Sequence, residues 1–404
     1  MTEVAYNKPR AIPVVVSGAL AVTAVVWCCL FVWSPDTWGC NLLFFGNAEG
    51  CFFNDYFMTS AVARMPVPYI DDCCSGWLDY QWVRRSEQCY PALAHYWVGL
   101  FPENLLGAVS CTLLGVAIYI WSLIVFFRKL IPGKVLMATS VACCSAPFLF
   151  AFGVGNLIFY AAGFSLLFLT WYDSASTWRR CVAAVALALA SVLKISPALL
   201  WLLYLRKGDL SRLRYAGLSA LIALLLFIVP FCCCGGRDAV HLWIENASMN
   251  SLVHARENLF GILGFVSNLM SSLGMGGLTG FAWYALRIAS SCVGLIVLII
   301  GCRFGSGLWD RGCAAVIGML FTHPTMLYYT ALYIIPFAIV GMYHGNDRIN
   351  RISGLFCLSL CMTLRMPLLL GSANVCVAAA GSVDLAVALA MLIIRNRGRR
   401  HADS

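Results

Sequence analysis

Two charged residues stand in surroundings where an apolar chain seldom keeps them, and together they suit group transfer. Lys194 lies in the apolar run 182–205, bounded by Arg179-Arg180 and Arg206-Lys207. An ammonium group in hydrocarbon costs about 3 kcal/mol or more, so an intramembrane charge is a functional candidate by default. Asp55 stands in Phe52-Phe53-Asn54-Asp55-Tyr56-Phe57. A carboxylate held among aromatics near a bilayer is partly desolvated and suited to accept a proton. A base that deprotonates a hydroxyl and a cation that steadies a departing anion are what moving a group from a phosphate to an alcohol requires.

The element that must position Lys194 is a broken helix. Pro197 follows it by three residues, and both ends of the run are basic. Basic residues collect on the cytoplasmic side, so both flanks are expected on one face. The run then reads as two short helices, 181–193 and 196–205, that enter, break at Lys194–Pro197 and return. Such a break is tolerated only against protein or a wet cavity, which puts Lys194 at a hairpin tip facing a polar site near the outer leaflet. The competing reading is one ordinary span with Lys194 snorkelling.

The composition sets the class. Of 404 residues, 61% are hydrophobic and 11% charged, with mean hydropathy +0.83. Soluble domains carry roughly 25% charged residues, so the chain reads as an all-α polytopic membrane protein. The net charge of +9 is no sign of nucleic-acid binding, because Lys and Arg flank apolar runs, from Lys8 and Arg10 to Arg311 and the tail Arg395–Arg400. Their asymmetry places both termini in the cytoplasm, and the first apolar run reads as a retained helix. Most of the twenty cysteines lie in apolar runs and act as small hydrophobes. Cys40, Cys51, Cys73, Cys74 and Cys89 share the first outer loop, where disulfides can form. No pair has metal-ligand spacing with histidines, so neither a metal nor a cofactor is expected.

Apolar windows give a first helix near 11–33, a first outer, periplasmic loop over 34–103, and helices near 104–127, 135–153 and 156–172. After the broken pair come 214–233, a second outer loop over 234–280, and helices near 281–302, 313–322, 325–343, 352–370 and 374–394. That makes about twelve crossings in one domain, 1–404. Glu257 to Met270 suits a helix on the membrane surface. Most unusual polar residues map to the outer side, a cap over an apolar bundle. A transporter carries such groups near the midplane instead.

Further candidates share that face. Tyr90-Pro91 leads into an aromatic-rich interfacial segment with His95 and Trp97, whose plainer role is anchoring. Gly153-Val154-Gly155-Asn156 is a tight turn offering an amide. Thr322-His323-Pro324, before Tyr328-Tyr329, marks a second break, and His323 can bind phosphate or a hydroxyl or simply pack. Arg237, His241 and Arg256 are phosphate candidates in the second loop. Asp71-Asp72 reads as solvated loop. Arg365 reaches an outer headgroup or an internal acid.

In order, Asp55, Tyr90-Pro91-Ala92-Leu93, Gly153-x-Gly-Asn156, Leu189-Ala-Ser-Val-Leu-Lys194-Ile-Ser-Pro197-Ala-Leu, Asn258-Leu259 and His323-Pro324 make a pattern that resembles the glycosyltransferase family 87 mannosyltransferases, within the GT-C class. The Lys-Ile-Ser-Pro stretch is also similar to that of the GPI mannosyltransferase adding the first mannose. The resemblance covers about residues 50–345. It implies a GT-C-type bundle whose two outer loops form the active-site cap, in the cell (inner) membrane. It also implies inverting transfer, without a nucleotide sugar, from a polyprenyl-phosphate-linked sugar, commonly mannose. The acceptor would be a glycolipid or other envelope glycan. Asp55 would be the general base and Lys194 the contact to the donor phosphate. Asn156 and His323 would line the site. Beside these four, Asn258, Arg237, Arg256 and Tyr90 are expected as further substrate-binding residues. The family's Gly-Gln-x-Asn lacks its glutamine here, its Ser-Pro is replaced by Thr322-His323-Pro324, and no Asp-x-Asp surrounds Asp55.

The leading expectation is therefore a lipid-phosphate-sugar-dependent glycosyltransferase. The alternatives are a transporter or flippase of a lipid-linked saccharide, and an assembly protein with a decayed site. The enzyme needs Asp55 and Lys194 on one cavity. The transporter needs charge along a path through the bundle, and the scaffold predicts the two residues far apart.

Overall fold

A computed structural model describes residues 53–65, 88–205, 211–253, 280–304, 307–322, 328–343 and 350–355, with a few isolated positions besides, Tyr69 among them. In chain order the helices are α1 (Asn54–Ala63), α2 (Ala92–Gly99), α3 (Leu105–Leu130), α4 (Val135–Cys143), α5 (Ala146–Val154), α6 (Ile158–Trp171) and α7 (Thr177–Leu193). A 3₁₀ segment, Ser196–Leu205, follows, then α8 (Ser211–Cys233), α9 (Arg237–Val253), α10 (Gly280–Phe304), α11 (Leu308–Thr322), a 3₁₀ turn Tyr328–Tyr333 and α12 (Ile335–Met342). Between α1 and α2, β1 (Cys73–Cys74) and β2 (Trp82–Val83) form a two-residue antiparallel pair, Cys73 opposite Val83. Helices α3, α8 and α10 are long and apolar enough to cross a membrane, and 132–143 with 147–154 makes a fourth candidate bent by 56°. Apart from that two-residue pair the regular structure of the described residues is helical, and the chain is a helical membrane protein.

Several departures from the expected layout have local causes. The helix expected over 135–153 is interrupted, because Pro147 has no N–H for the Cys143 carbonyl. Ser145 Oγ occupies the break by donating to the Ala142 carbonyl at 2.7 Å. The stretches expected as outer loops, 34–103 and 234–280, contain helices α1, α2 and α9. Helix α8 is stopped by Gly235 and Gly236, with φ of +115° and +65°, which no β-carbon permits cheaply. The Gly236 N–H returns to the Phe231 carbonyl at 2.8 Å, and α9 starts at the next residue. The expected spans near 11–33 and 374–394, most of 352–370 and the surface helix at 257–270 fall largely or wholly outside the described residues.

The chain divides into two compact units, one of residues 51–123 and 151–255, the other of 1–50, 124–150 and 256–404. In the second, α10 and α11 approach backbone to backbone. A β-carbon on Gly294 would lie 2.6 Å from the Gly318 carbonyl oxygen, and one on Gly301 would overlap Ala314. Ala314 and Gly318 have the four-residue spacing that lets membrane helices close up. Trp309 Nε1 donates to the Phe337 carbonyl at 2.7 Å, tying α11 to α12. Arg311, expected as a flanking charge, is instead buried in the first turn of α11 beside buried Asp310.

In the first unit, α7 and the 3₁₀ segment form the hairpin expected around Lys194. Pro197 cannot donate to the Leu193 carbonyl, so α7 ends there and Lys194 turns extended at φ −144°, ψ 121°. The segment then runs back. Tyr204 near its end packs edge-on to Tyr172 and to Phe168 at the end of α6. Trp201 Nε1 donates to Ser219 Oγ of α8 at 2.8 Å. At the base, Arg212 pairs with Asp173 at 2.5 Å, and Arg180 Nη1 lies 3.2 Å from Ser211 Oγ. The basic ends of α7 and α8 thus meet at the end of the hairpin away from Lys194.

Candidate active site

Asp55 is placed by a strained start to α1. Phe53 takes left-handed backbone angles, φ 60° and ψ 30°, which cost a residue with a β-carbon about 1 kcal/mol or more. Two contacts hold it there: its N–H donates to the Gly153 carbonyl at 2.7 Å, and its carbonyl accepts from Phe57 N at 3.0 Å. Gly155 faces it with φ +67°, and a β-carbon there would come within 3.0 Å of Phe53 Cδ1. Asp55 consequently lies half-buried in the first turn of α1, where the helix dipole favours an anion. Thr59 Oγ1 donates to its main-chain carbonyl at 2.7 Å.

Asn156 follows the Gly155 turn and is buried. Its Oδ1 accepts the Ile158 N–H at 2.8 Å, capping α6. That fixes the amide orientation, since an N–H must meet the oxygen. Nδ2 is thereby aimed at Asp55 Oδ2, to which it donates, and it also lies 3.1 Å from the Tyr90 hydroxyl. On the other side of that hydroxyl stands Lys194 Nζ at 3.0 Å, 4.6 Å from the ring centroid. An ammonium in that place gains from both the phenol oxygen and the π face. Lys194 and Asp55 also interact electrostatically.

The result is a hydrogen-bonded chain from carboxylate through amide and phenol to ammonium, drawn from α1, the α5–α6 turn, the segment before α2 and the hairpin tip. Beneath it, buried His95 puts Nδ1 3.2 Å from the Thr59 carbonyl. A carbonyl only accepts, so Nδ1 carries the proton. Burial pushes the His95 imidazole down to about 4 despite the Thr59 and Tyr90 carbonyls near it, which keeps the ring neutral.

Of the residues picked out from the sequence, Asp55, Tyr90, Asn156 and Lys194 are brought together. Arg237 is exposed on the first turn of α9, outside this chain of contacts. Arg256, Asn258 and His323 lie outside the described residues. Sequence reading passed over Phe53, His95 and Tyr69 as parts of the site. Only Gly155 hinted at the close approach that Phe53 exploits. Among the described residues, no three His, Cys, Asp or Glu side chains gather as a metal site.

A helical membrane chain here joins a carboxylate to an ammonium at a helical hairpin tip, a pairing whose chemistry suits group transfer. The family model of glycosyltransferase family 87 matches residues 91–330, more than half of the chain. The protein belongs to that family and is a membrane glycosyltransferase. Asn156 and Lys194 fall inside the matched stretch, whereas Asp55 and Tyr90 precede it. No curated protein matches the chain.

Proposed function

We propose that the protein moves a sugar, mannose in the first instance, from a polyprenyl-phosphate donor to a hydroxyl of a glycolipid or other envelope glycan. The observation that carries this reading is the contact chain Asp55–Asn156–Tyr90–Lys194. Asp55 takes the proton as the acceptor oxygen attacks the anomeric carbon from the face opposite the phosphate. The carbon–oxygen bond to phosphate breaks, its electron pair leaves with the polyprenyl phosphate, and the configuration inverts. Lys194 meets the charge that develops on that phosphate, with Tyr90 beside it. Asn156 holds the carboxylate in place.

The wider frame of the reading is a GT-C-type bundle of about twelve crossings. Its termini are cytoplasmic and its site lies on the outer face of the cell membrane, as the basic flanks favour. The two outer loops form the cap, with Arg237, Arg256, Asn258 and His323 completing substrate contacts.

The test is transfer from radiolabelled polyprenyl-phosphate mannose to extracted membrane lipids, by purified wild type, Asp55→Asn and Lys194→Met in liposomes. Label should reach an acceptor with wild type only, Asp55→Asn losing at least ~100-fold. Transfer that survives Asp55→Asn removes the proposed base. Protein-dependent donor movement across the bilayer without transfer makes the protein a carrier of lipid-linked sugar instead.

A further inference from the structure

Tyr90 sits in a short non-helical stretch, Gln88–Tyr90, just before α2. Pro91 after it has no N–H. Its carbonyls are satisfied from elsewhere: Cys89 O accepts Trp243 Nε1 at 3.0 Å, and Tyr90 O accepts the Tyr69 hydroxyl at 3.0 Å. Tyr69 is itself fixed at its other two polar groups. Its N–H donates to Gln88 Oε1 at 3.0 Å, and its carbonyl accepts Asn246 Nδ2 of α9 at 3.1 Å. Gln88, Asn246 and Tyr69 are all buried. The Tyr69 ring stacks on Phe231 of α8 at 6.0 Å and stands edge-on to His95 at 5.5 Å.

The backbone at Tyr69 has φ +76°, disfavoured for any residue with a β-carbon. Such a conformation persists only where surrounding contacts over-determine it, and strain of this kind clusters at functional sites. Here the main-chain N–H and the phenol are both bonded to the Gln88–Tyr90 stretch, and the main-chain carbonyl to α9. The arrangement spends conformational strain to set one loop against α9.

We propose that Tyr69 is a positioning residue for sugar transfer: by tying the Gln88–Tyr90 main chain to α9, it sets the Tyr90 hydroxyl against Lys194 and Asn156. This rests on the reading of that site as the place of transfer. A reacting group misplaced by about 1 Å costs up to ~100-fold in rate, so a pin behind Tyr90 has catalytic consequences without touching substrate.

Tyr69→Phe keeps the ring and its packing and removes only the bond to the Tyr90 carbonyl. Wild type, Tyr69→Phe, Tyr90→Phe and the double variant are compared for polyprenyl-phosphate mannose transfer. Tyr69→Phe should lower kcat/KM for the donor about tenfold with Tm almost unchanged, and the double variant should be no worse than Tyr90→Phe. Additive losses, or wild-type constants for Tyr69→Phe, overturn the proposal. Hydrogen–deuterium exchange supplies a readout independent of activity. Exchange over Gln88–Tyr90 should quicken in Tyr69→Phe while α3 is unaffected, and unchanged exchange overturns the pin. If wild type transfers nothing yet exchange quickens, the fault lies in the reading of the site. Trp243→Phe, which deletes the parallel bond to Cys89, takes the place of Tyr69→Phe if that variant does not accumulate, with the same expected directions.

Discussion

Helices α10 and α11 meet through glycine backbones, Gly294 against Gly318, whereas the elements around Asp55 meet through side-chain hydrogen bonds and two left-handed residues that are not glycine. The first contact has almost no room, so it is sensitive to volume and largely indifferent to chemistry. The second is held by donors and acceptors whose direction matters, and it tolerates strain that would be waste in the helix pair. One region closes a helix pair; the other fixes a carboxylate and an ammonium in one hydrogen-bonded chain.

The sharpest way to break the contrast is Asn156→Asp. The substitution keeps an oxygen to cap α6 but removes the N–H₂ that donates to Asp55 and Tyr90. Transfer should fall about 100-fold, equal to roughly 2.7 kcal/mol of barrier, with Tm little changed. Loss of fold instead of rate would make Asn156 a cap and nothing more. The mirror experiment is Gly318→Val in α11, where the side chain must displace Gly294 or Leu298. Stability should drop by about 2 kcal/mol, read as thermal unfolding in detergent, with the donor KM of the surviving fraction unaltered.

Gly155→Ala lies between these cases. The β-carbon meets Phe53 at a positive φ, so it should cost about 1–2 kcal/mol of stability and also slow transfer several-fold by moving α1. A stability loss with unchanged kcat would separate the Phe53 strain from the placement of Asp55.

The smallest effect is on pH dependence. His95 has its folded value depressed to about 4, so the unfolded state binds the extra proton first. Stability is therefore full above the unfolded value near 6.5 and falls as pH drops from there toward 4. From about pH 7.5 to about pH 6 the loss should be roughly 1 kcal/mol, and His95→Gln should flatten the slope. An equal slope in both proteins would mean that His95 is not the group responsible.

Much of the site was legible because the anomalies are chemical. Lys194 in an apolar run, Pro197 behind it and paired basic flanks favoured a broken hairpin over a single span, and the structure has a hairpin. Asp55 among aromatics and Asn156 after Gly155 could be picked out for the same reason. Helix α1 could not, since its first residue follows a phenylalanine in a left-handed conformation that its type disfavours. Helix α9 was missed because its polar face resembles loop composition, and its start depends on Gly235 and Gly236 reversing the chain. Arg311 read as a flanking charge, yet α11 buries it.

What the sequence determined alone was the membrane class, the hairpin around Lys194 and the choice of Asp55, Asn156, Tyr90 and Lys194 as candidates. Hydropathy and proline geometry act over a few neighbouring residues and leave their mark in the local pattern. Only the tertiary structure decided that Asn156 and Tyr90 bridge Asp55 to Lys194, and that Tyr69 and His95 support them. Those contacts join residues tens to more than a hundred positions apart, and their hydrogen-bond directions exist only once the helices have packed.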